Sequence, residues 1–271
     1  MGTYGFIGTG NMAAALLAAA AAGGFGSDCV LYNRTPAKAQ ALAAQYSCTV
    51  AASAAEAAEK ADYLFLGVKP FQMAAVLEGL RPALAARRQQ GQGPVLVSMA
   101  AGLSLARLKE LAGVDLPVMR IMPNTPCAIG KGLVFITPDA DVAPGQTARV
   151  KALLAAAGSL LDLDEAMMDT GGVIAGCTPA WAYLFIEGLA DGAVAAGMPR
   201  AQALACAAGA VEGAAALVRE SGKHPGQLKD EVCSPGGSTI AGVRALEQHG
   251  VRGAAMDAVL AACARTREMG K

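Results

Sequence analysis

Two glycine-rich segments, far apart in the chain, hold residue types suited to binding anions. The first runs Gly5-Phe6-Ile7-Gly8-Thr9-Gly10-Asn11-Met12 and continues into Ala13. It sets Gly8-x-Gly10-x-x-Ala13 directly after a short apolar run and at the start of an Ala/Leu run. Gly8 suits a tight turn, Gly10 lets backbone approach a pyrophosphate, and small Ala13 allows close helix–strand packing. The N–H groups opening the helix at Asn11 and Met12 then offer partial positive charge to phosphates. With a strand before it, a helix after it and a second strand beyond, this pattern points to a dinucleotide site.

The second strand ends at Tyr32, and Asn33-Arg34-Thr35 follow. An NAD-binding version places Asp or Glu there for the ribose 2′-hydroxyl. Here a guanidinium stands between an amide and a hydroxyl, a set that suits a 2′-phosphate. NADPH is therefore the expected coenzyme, with NADH the weaker alternative; the plain structural reading is a solvated turn before Pro36. Val68-Lys69-Pro70 and Ala100-Ala101-Gly102 each follow a buried strand. Ligands of doubly wound sheets sit outside the carboxyl ends of the strands, so both loops are expected to line the cleft. Lys69 reads equally as an ordinary solvated lysine.

The second segment is Ser234-Pro235-Gly236-Gly237-Ser238-Thr239. Pro235-Gly236-Gly237 cannot continue a helix, while Ser238-Thr239 can open one. A glycine-rich loop feeding N–H groups and two hydroxyls into a helix N-terminus binds a small anion such as a carboxylate. A simple N-cap explains either hydroxyl, but not the two glycines before it.

The elements that must position these segments alternate in the first part of the chain. Strands are expected over Thr3 to Ile7, Cys29 to Tyr32, Tyr63 to Val68, Val95 to Met99, Val118 to Ile121 and Leu133 to Ile136. Helices are expected at Asn11 to Ala22, Pro36 to about Tyr46, Phe71 to Leu84 and Ser104 to Leu111. That alternation predicts a parallel, doubly wound α/β sheet of the Rossmann type. From about Asp164 strand signals nearly vanish, and helices are expected over Pro179 to Ala196, Arg200 to Glu220, Thr239 to Gln248 and Val251 to Met269. The expected domains are 1–163 and 164–271, the second all-α. Its alanine faces are too poor in large side chains for a generous core, so burial against a second copy of the chain is expected.

Bulk composition excludes several classes. Hydrophobic residues make up 54% and charged residues 16%, so the chain is expected to fold rather than stay disordered. Lys+Arg and Asp+Glu are equal at 22 each, leaving no basic excess for nucleic acid or an anionic membrane. The 7 cysteines are scattered and never form a CxxC pair, as expected of reduced thiols in a cytoplasmic protein without a zinc site. Two histidines cannot build a His-rich metal centre. The apolar run from Trp181 to Gly197 contains Glu187 and Asp191, costly in lipid, so no membrane span is expected.

Taken together, GFIGTGNM, VKP, the MPNTP of Met122 to Pro126 and SPGGSTIAGVRALE resemble pyrroline-5-carboxylate reductase from Gly5 to about Arg267. The resemblance implies reduction of the cyclic imine 1-pyrroline-5-carboxylate to L-proline with NAD(P)H, the last step of proline synthesis. It also implies a Rossmann domain followed by a helical dimerisation domain, in homodimers that often assemble further, to decamers. Gly237, Ser238 and Thr239 would then hold the substrate carboxylate through backbone N–H groups. The Thr239 hydroxyl would reach the ring nitrogen as the catalytic group, with Glu165 near the substrate amine. Some positions depart from the family pattern: Cys177, Thr178 and Trp181 within a usual GSGPAY, Ala54 in place of a common Asn, and Glu231 where some members have Asn. Alternatives are a reductase of another cyclic imine or of a β-hydroxy acid, or a non-catalytic NADPH-binding sensor. A β-hydroxy-acid enzyme is expected to carry Lys or Asp in its interdomain helix, and Trp181 to Ala196 has no Lys. A sensor needs no Pro235-Gly236-Gly237 loop.

Overall fold

A computed structural model describes residues 2–269; Met1, Gly270 and Lys271, at the limits of the expected domains, lie outside them. Its contacts divide the chain into two compact units. The first takes the chain up to Cys177 together with the last stretch from Cys263, and the second runs from Thr178 to Ala262. The change from strand to helix at residue 163 falls inside the first unit, because the chain beyond the last strand first packs on the sheet.

In the first unit the order is β1 (Tyr4–Ile7), α1 (Asn11–Ala22), β2 (Cys29–Tyr32), α2 (Pro36–Tyr46), β3 (Thr49–Val50), α3 (Ala54–Lys60) and β4 (Tyr63–Leu66). Then come α4 (Met73–Gln89), β5 (Val95–Ser98), α5 (Leu105–Ala112), β6 (Val118–Met122), β7 (Gly132–Pro138), α6 (Pro144–Leu154) and β8 (Gly158–Asp162). The strands form one sheet in the order β3-β2-β1-β4-β5-β6-β7-β8. Every pair is parallel except β6–β7. The exception has a simple cause. Only a short 3-10 segment (Thr125–Ile129) joins β6 to β7, and a parallel return needs a longer crossover.

The strands read as unbroken apolar runs because helices cover both faces. Phe6, Leu31, Phe65 and Val97 point into a cluster with Leu16, Leu17 and Leu153. Ile7, Leu64, Leu66 and Leu96 point the other way, onto Leu77, Leu84 and Leu108. Phe6 stacks on Phe65 at 4.6 Å, both without exposed surface. Each such fully buried side chain contributes about 1.5–3 kcal/mol.

Sequence reading missed β3, α3, α6 and β8. β3 has two residues, too few for a periodic signal. α3 is announced by its cap: Ser53 Oγ accepts the Glu56 N–H at 3.0 Å, and Glu56 Oε2 accepts the Ala52 N–H at 2.7 Å.

The helical elements are α7 (Met168–Ala195), α8 (Arg200–Ser221), α9 (Pro225–Glu231), α10 (Ser238–Gln248) and α11 (Val251–Met269). α7 starts well before Pro179 and runs through it, so the expected helix start at that proline is corrected. In the second unit, buried Ala190, Ala203 and Ala207 pack with Ile186, Ala193 and Val194 where α7 meets α8. Larger side chains stay exposed, among them Tyr183, Leu184, Leu217, Met256 and Leu260. The stretch Glu165–Ala195, with mean hydropathy 1.4, and α8, with 1.5, are both long and apolar enough to cross a membrane by length and composition alone.

Candidate functional site

Strand register assembles the first candidate site. Ile7 pairs with both Tyr32 and Leu66, and Leu66 pairs with Ser98. The loops after β1, β2, β4 and β5 therefore leave from one edge, and the strand order reverses between β1 and β4. That is the crevice where doubly wound sheets bind ligands.

Two glycines hold the crevice together. Gly8 has φ +91°, a conformation that favours glycine, and an added Cβ there would lie 2.8 Å from the Gly67 carbonyl oxygen. The Gly8 N–H donates to the Tyr32 carbonyl at 2.8 Å, and the Gly67 N–H to the Ile7 carbonyl at 2.8 Å. Gly10 then caps α1, and no side chain occupies the cap. An added Cβ on Gly10 would meet no atom within 4 Å. The surface above Gly10 is open, and the Asn11 and Met12 N–H groups begin an uncapped twelve-residue helix. Together these features suit a pyrophosphate.

Asn33 has a different task from the one its neighbours suggest. Its Oδ1 accepts the Thr9 N–H at 3.0 Å, and its Nδ2 donates to the Thr35 carbonyl at 3.0 Å. The amide braces the loop after β2 against the loop after β1. Arg34 and Thr35 stand exposed beside it, with Thr35 at the N-cap of α2. On the β4 side, Val68 is half-buried against Gly8, and exposed Lys69 donates its N–H to Gln72 Oε1 at 3.3 Å. Pro70 opens the single 3-10 turn that follows. On the β5 side, the buried Ala100 N–H donates to Ser98 Oγ at 3.3 Å, and Ala101 is half-buried. All of the expected coenzyme residues lie in these four loops or at the start of α1.

Sequence reading missed Gly67, Arg120 and Asn124. The Arg120 side chain, 4% exposed, lies 3.0 Å from Asp169 Oδ1 and 3.4 Å from Glu165 Oε1. A lone cation in the apolar run Val118–Met122 was the available signal, since a buried charge requires partners. Glu165 Oε1 also accepts the Leu105 N–H at 2.5 Å, so this carboxylate ties the start of α5 to β6. Asn124 is buried; its Oδ1 accepts the Leu133 N–H at 2.9 Å and its Nδ2 donates to the Ala175 carbonyl at 3.1 Å. The MPNTP motif is thus a clamp that seats β7 and α7 at the end of β6.

The second candidate site is the N-terminus of α10. Gly236 has φ +69°, and the Gly237 N–H donates to the Ser234 carbonyl at 3.0 Å, closing a tight turn before the helix. The Gly237 N–H is engaged within the turn, and the Ser238 and Thr239 N–H groups open the helix. Gly237 is needed for its shape, because an added Cβ would fall 2.4 Å from Ser234 Oγ. Ser238 and Thr239 are exposed, and no side chain caps α10.

Just before this loop, Lys223 Nζ contacts Glu231 Oε1 at 2.8 Å and Oε2 at 3.0 Å, and Gln227 Nε2 donates to Oε1 at 3.0 Å. The Lys223 ammonium, and then the Gln227 amide, hold the Glu231 carboxyl below its usual range. The unusual Glu231 is the acceptor that fastens α9 to the end of α8. Cys177 and Trp181 are half-buried along α7 and Thr178 is exposed; Ala54 opens α3.

Comparison with known proteins gives consistent results. Residues 165–269 match the family model "Pyrroline-5-carboxylate reductase dimerisation", and residues 3–102 match "NADP oxidoreductase coenzyme F420-dependent". The chain is 40% identical over 269 residues to the pyrroline-5-carboxylate reductase of Escherichia coli (strain K12), covering 98% of both chains. Among solved structures, it is similar to a Plasmodium falciparum pyrroline carboxylate reductase with NADP bound (TM-score 0.88, 29% identity, covering 100% of this chain and 98% of that one). It is also similar to 1-pyrroline-5-carboxylate reductase from Streptococcus pyogenes (TM-score 0.85, 32% identity, 98% of both chains).

Proposed function

The chain belongs to the pyrroline-5-carboxylate reductase family, and from that membership we propose that it reduces 1-pyrroline-5-carboxylate to L-proline at the expense of NADPH, the last step of proline synthesis. It is an NAD(P)-dependent oxidoreductase. The observation that carries the reading on this chain is the pair of uncapped helix N-termini. One follows Gly8 and Gly10, and the other follows Gly236 and Gly237.

When bound, NADPH supplies the hydride that reduces the imine carbon. The Asn11 and Met12 N–H groups hold its pyrophosphate, with Gly8 and Gly10 shaping the approach. Arg34 and Thr35 take the 2′-phosphate, Asn33 braces their loop, and Val68, Lys69, Pro70, Ala100 and Ala101 line the cleft. The Ser238 and Thr239 N–H groups bind the substrate carboxylate with the favourable end of the α10 dipole. The Thr239 hydroxyl donates a hydrogen bond to the lone pair of the imine ring nitrogen and so draws electron density out of the C=N bond as hydride reaches the carbon. Glu165 is assigned to the substrate nitrogen by family resemblance, with Oε1 already engaged by Leu105 and Arg120 and only Oε2 left for that role. No nucleophile is needed, because orientation and one donor suffice for hydride transfer.

The protein is further proposed to act in the cytoplasm as a homodimer that can build decamers. Exposed Tyr183, Leu184, Leu217, Met256 and Leu260 support this, because a second helical surface would cover them. Sedimentation of the purified chain tests the assembly.

The activity is tested by adding 1-pyrroline-5-carboxylate to purified protein and NADPH and following absorbance of the reduced nicotinamide. The expected result is substrate-dependent oxidation. Thr239→Ala should lower kcat about 10²-fold, as for loss of a donor aimed at developing charge, with NADPH affinity unchanged. Normal NADPH binding without turnover of this imine would overturn the reading in favour of another imine or of a sensor.

A further inference from the structure

Two cysteines that serve neither candidate site stand side by side at the far end of β2. Val30 pairs with Thr49 and Leu31 with Val50 in the parallel β2–β3 ladder, and Cys29 and Cys48 are the residues just before this register on each strand. Thr49 Oγ1 donates to the Cys29 carbonyl at 3.3 Å, fixing the two chains against each other at that level. Neighbouring strands run about 4.8 Å apart. That spacing falls within the Cα separation of about 4.4–6.8 Å that a disulfide spans.

Both side chains meet in the same apolar cluster, Cys29 fully buried and Cys48 at its half-exposed margin. The Cys29 thiol donates to the Phe25 carbonyl at 3.3 Å and the Cys48 thiol to the Tyr46 carbonyl at 3.7 Å. The two are chemically unequal. The neighbouring Cys48 and burial hold Cys29 well above the usual thiol range, and the neighbouring Cys29 draws Cys48 below it. A depressed, reachable thiol beside a buried partner is the arrangement of an attacking and a resolving cysteine.

We propose that Cys29 and Cys48 form a reversible intramolecular disulfide when the protein meets a hydroperoxide. The Cys48 thiolate attacks the distal peroxide oxygen and the O–O bond breaks. The departing alkoxide or hydroxide takes up a proton and leaves as alcohol or water, with sulfenic acid on Cys48. The Cys29 sulfur gives up its proton and attacks the Cys48 sulfur, expelling a second hydroxide that leaves as water. Two thiols are oxidised, one peroxide is reduced, and one S–S bond forms. The bond closes a covalent loop from residue 29 to residue 48, which contains α2 and the Asn33-Arg34-Thr35 segment. It pins β3, the two-residue edge strand, to β2. The thiol pair stands independently of the coenzyme and substrate readings.

The test treats the native full-length protein with hydrogen peroxide, at a dose that consumes an equimolar small thiol. Free thiols are then alkylated, and the protein is digested without reductant for mass spectrometry. The expected product is a linked peptide pair containing Cys29 and Cys48, lighter by two hydrogens and separated again by dithiothreitol. Cys48→Ser should abolish the link and leave Cys29 alkylatable after unfolding. In Cys29→Ser, Cys48 should stop at sulfenic acid and be captured by dimedone. Recovery of both cysteines fully alkylated from peroxide-treated native protein would overturn the proposal, as would linkage of either one to a different cysteine.

Discussion

The side-chain oxygen of Asn33 accepts the backbone N–H of Thr9 at 3.0 Å, so the turn that follows β1 is held by the residue that follows β2. The same amide donates to the Thr35 carbonyl, and one planar group thereby fixes the loops after β1 and β2 against each other.

Replacing Asn33 with Ala removes both bonds and leaves the Thr9 N–H without its partner. Each bond is worth about 1 kcal/mol net. The variant should lose roughly 1–2 kcal/mol of stability and bind NADPH more weakly. Denaturant titration and NADPH titration on the same preparation check both effects. Asn33→Asp, which keeps the acceptor but adds a negative charge beside Arg34, should penalise NADPH more than NADH.

Arg34 is exposed next to that brace, in the position of the acid that reads a free ribose hydroxyl in NAD enzymes. A charge-assisted bidentate contact to phosphate is worth about 1.5–3 kcal/mol, or about ten- to a hundred-fold in affinity. Arg34→Ala should raise the NADPH KM by that order and leave the NADH KM nearly unchanged. Equal effects on both coenzymes would take the 2′-phosphate away from Arg34.

Much of this frame was readable from spacing. The runs at Tyr4–Ile7, Tyr63–Leu66 and Val95–Ser98 are strands buried on both faces, and Gly8 and Gly10 mark the turn because a backbone with positive φ and an open approach needs glycine. What could not be read depends on partners distant in sequence. That the Asn33 amide braces two loops is visible only once Thr9 is placed against its oxygen. That Glu165 Oε1 ties Leu105 and Arg120 together is likewise visible only once these distant residues are placed against it. Each is a hydrogen-bond assignment, and residue type alone does not fix the partner.

Glu231 gives the helical unit an acid-sensitive fastening. Its carboxyl is held below the usual range by Lys223 first and Gln227 second. A depressed carboxylate contributes stability above its unfolded pKa and loses it as pH falls through the folded value. Acidification through and below the ordinary carboxylate range should therefore loosen α9 from the end of α8, and α9 leads directly into the Ser234–Thr239 loop. Glu231→Gln should flatten that part of the pH dependence of the thermal midpoint. An unchanged profile would show that the Lys223 contact adds nothing in solution.

Gly67 and Gly10 allow the fold and the coenzyme site to be tested separately. A Cβ on Gly67 would stand 2.8 Å from the Gly8 carbonyl oxygen and 3.2 Å from Ala13 Cβ, and the carbonyl belongs to backbone that cannot swing aside. Gly67→Ala must push β1 and β4 apart at the crevice, at about 1–3 kcal/mol for an overpacked site, and it should weaken NADPH binding by displacing the Gly8 turn. A Cβ on Gly10 would meet nothing within 4 Å, and with φ −74° the residue accepts alanine without strain. Its methyl group would stand only in the way of a pyrophosphate over the α1 N-terminus. Gly10→Ala should keep the thermal midpoint of the parent and still lose NADPH affinity by about ten-fold or more, since close backbone approach is what that glycine provides. A Gly10→Ala protein that binds NADPH as tightly as the parent would move the pyrophosphate off this helix, whatever Gly67→Ala does.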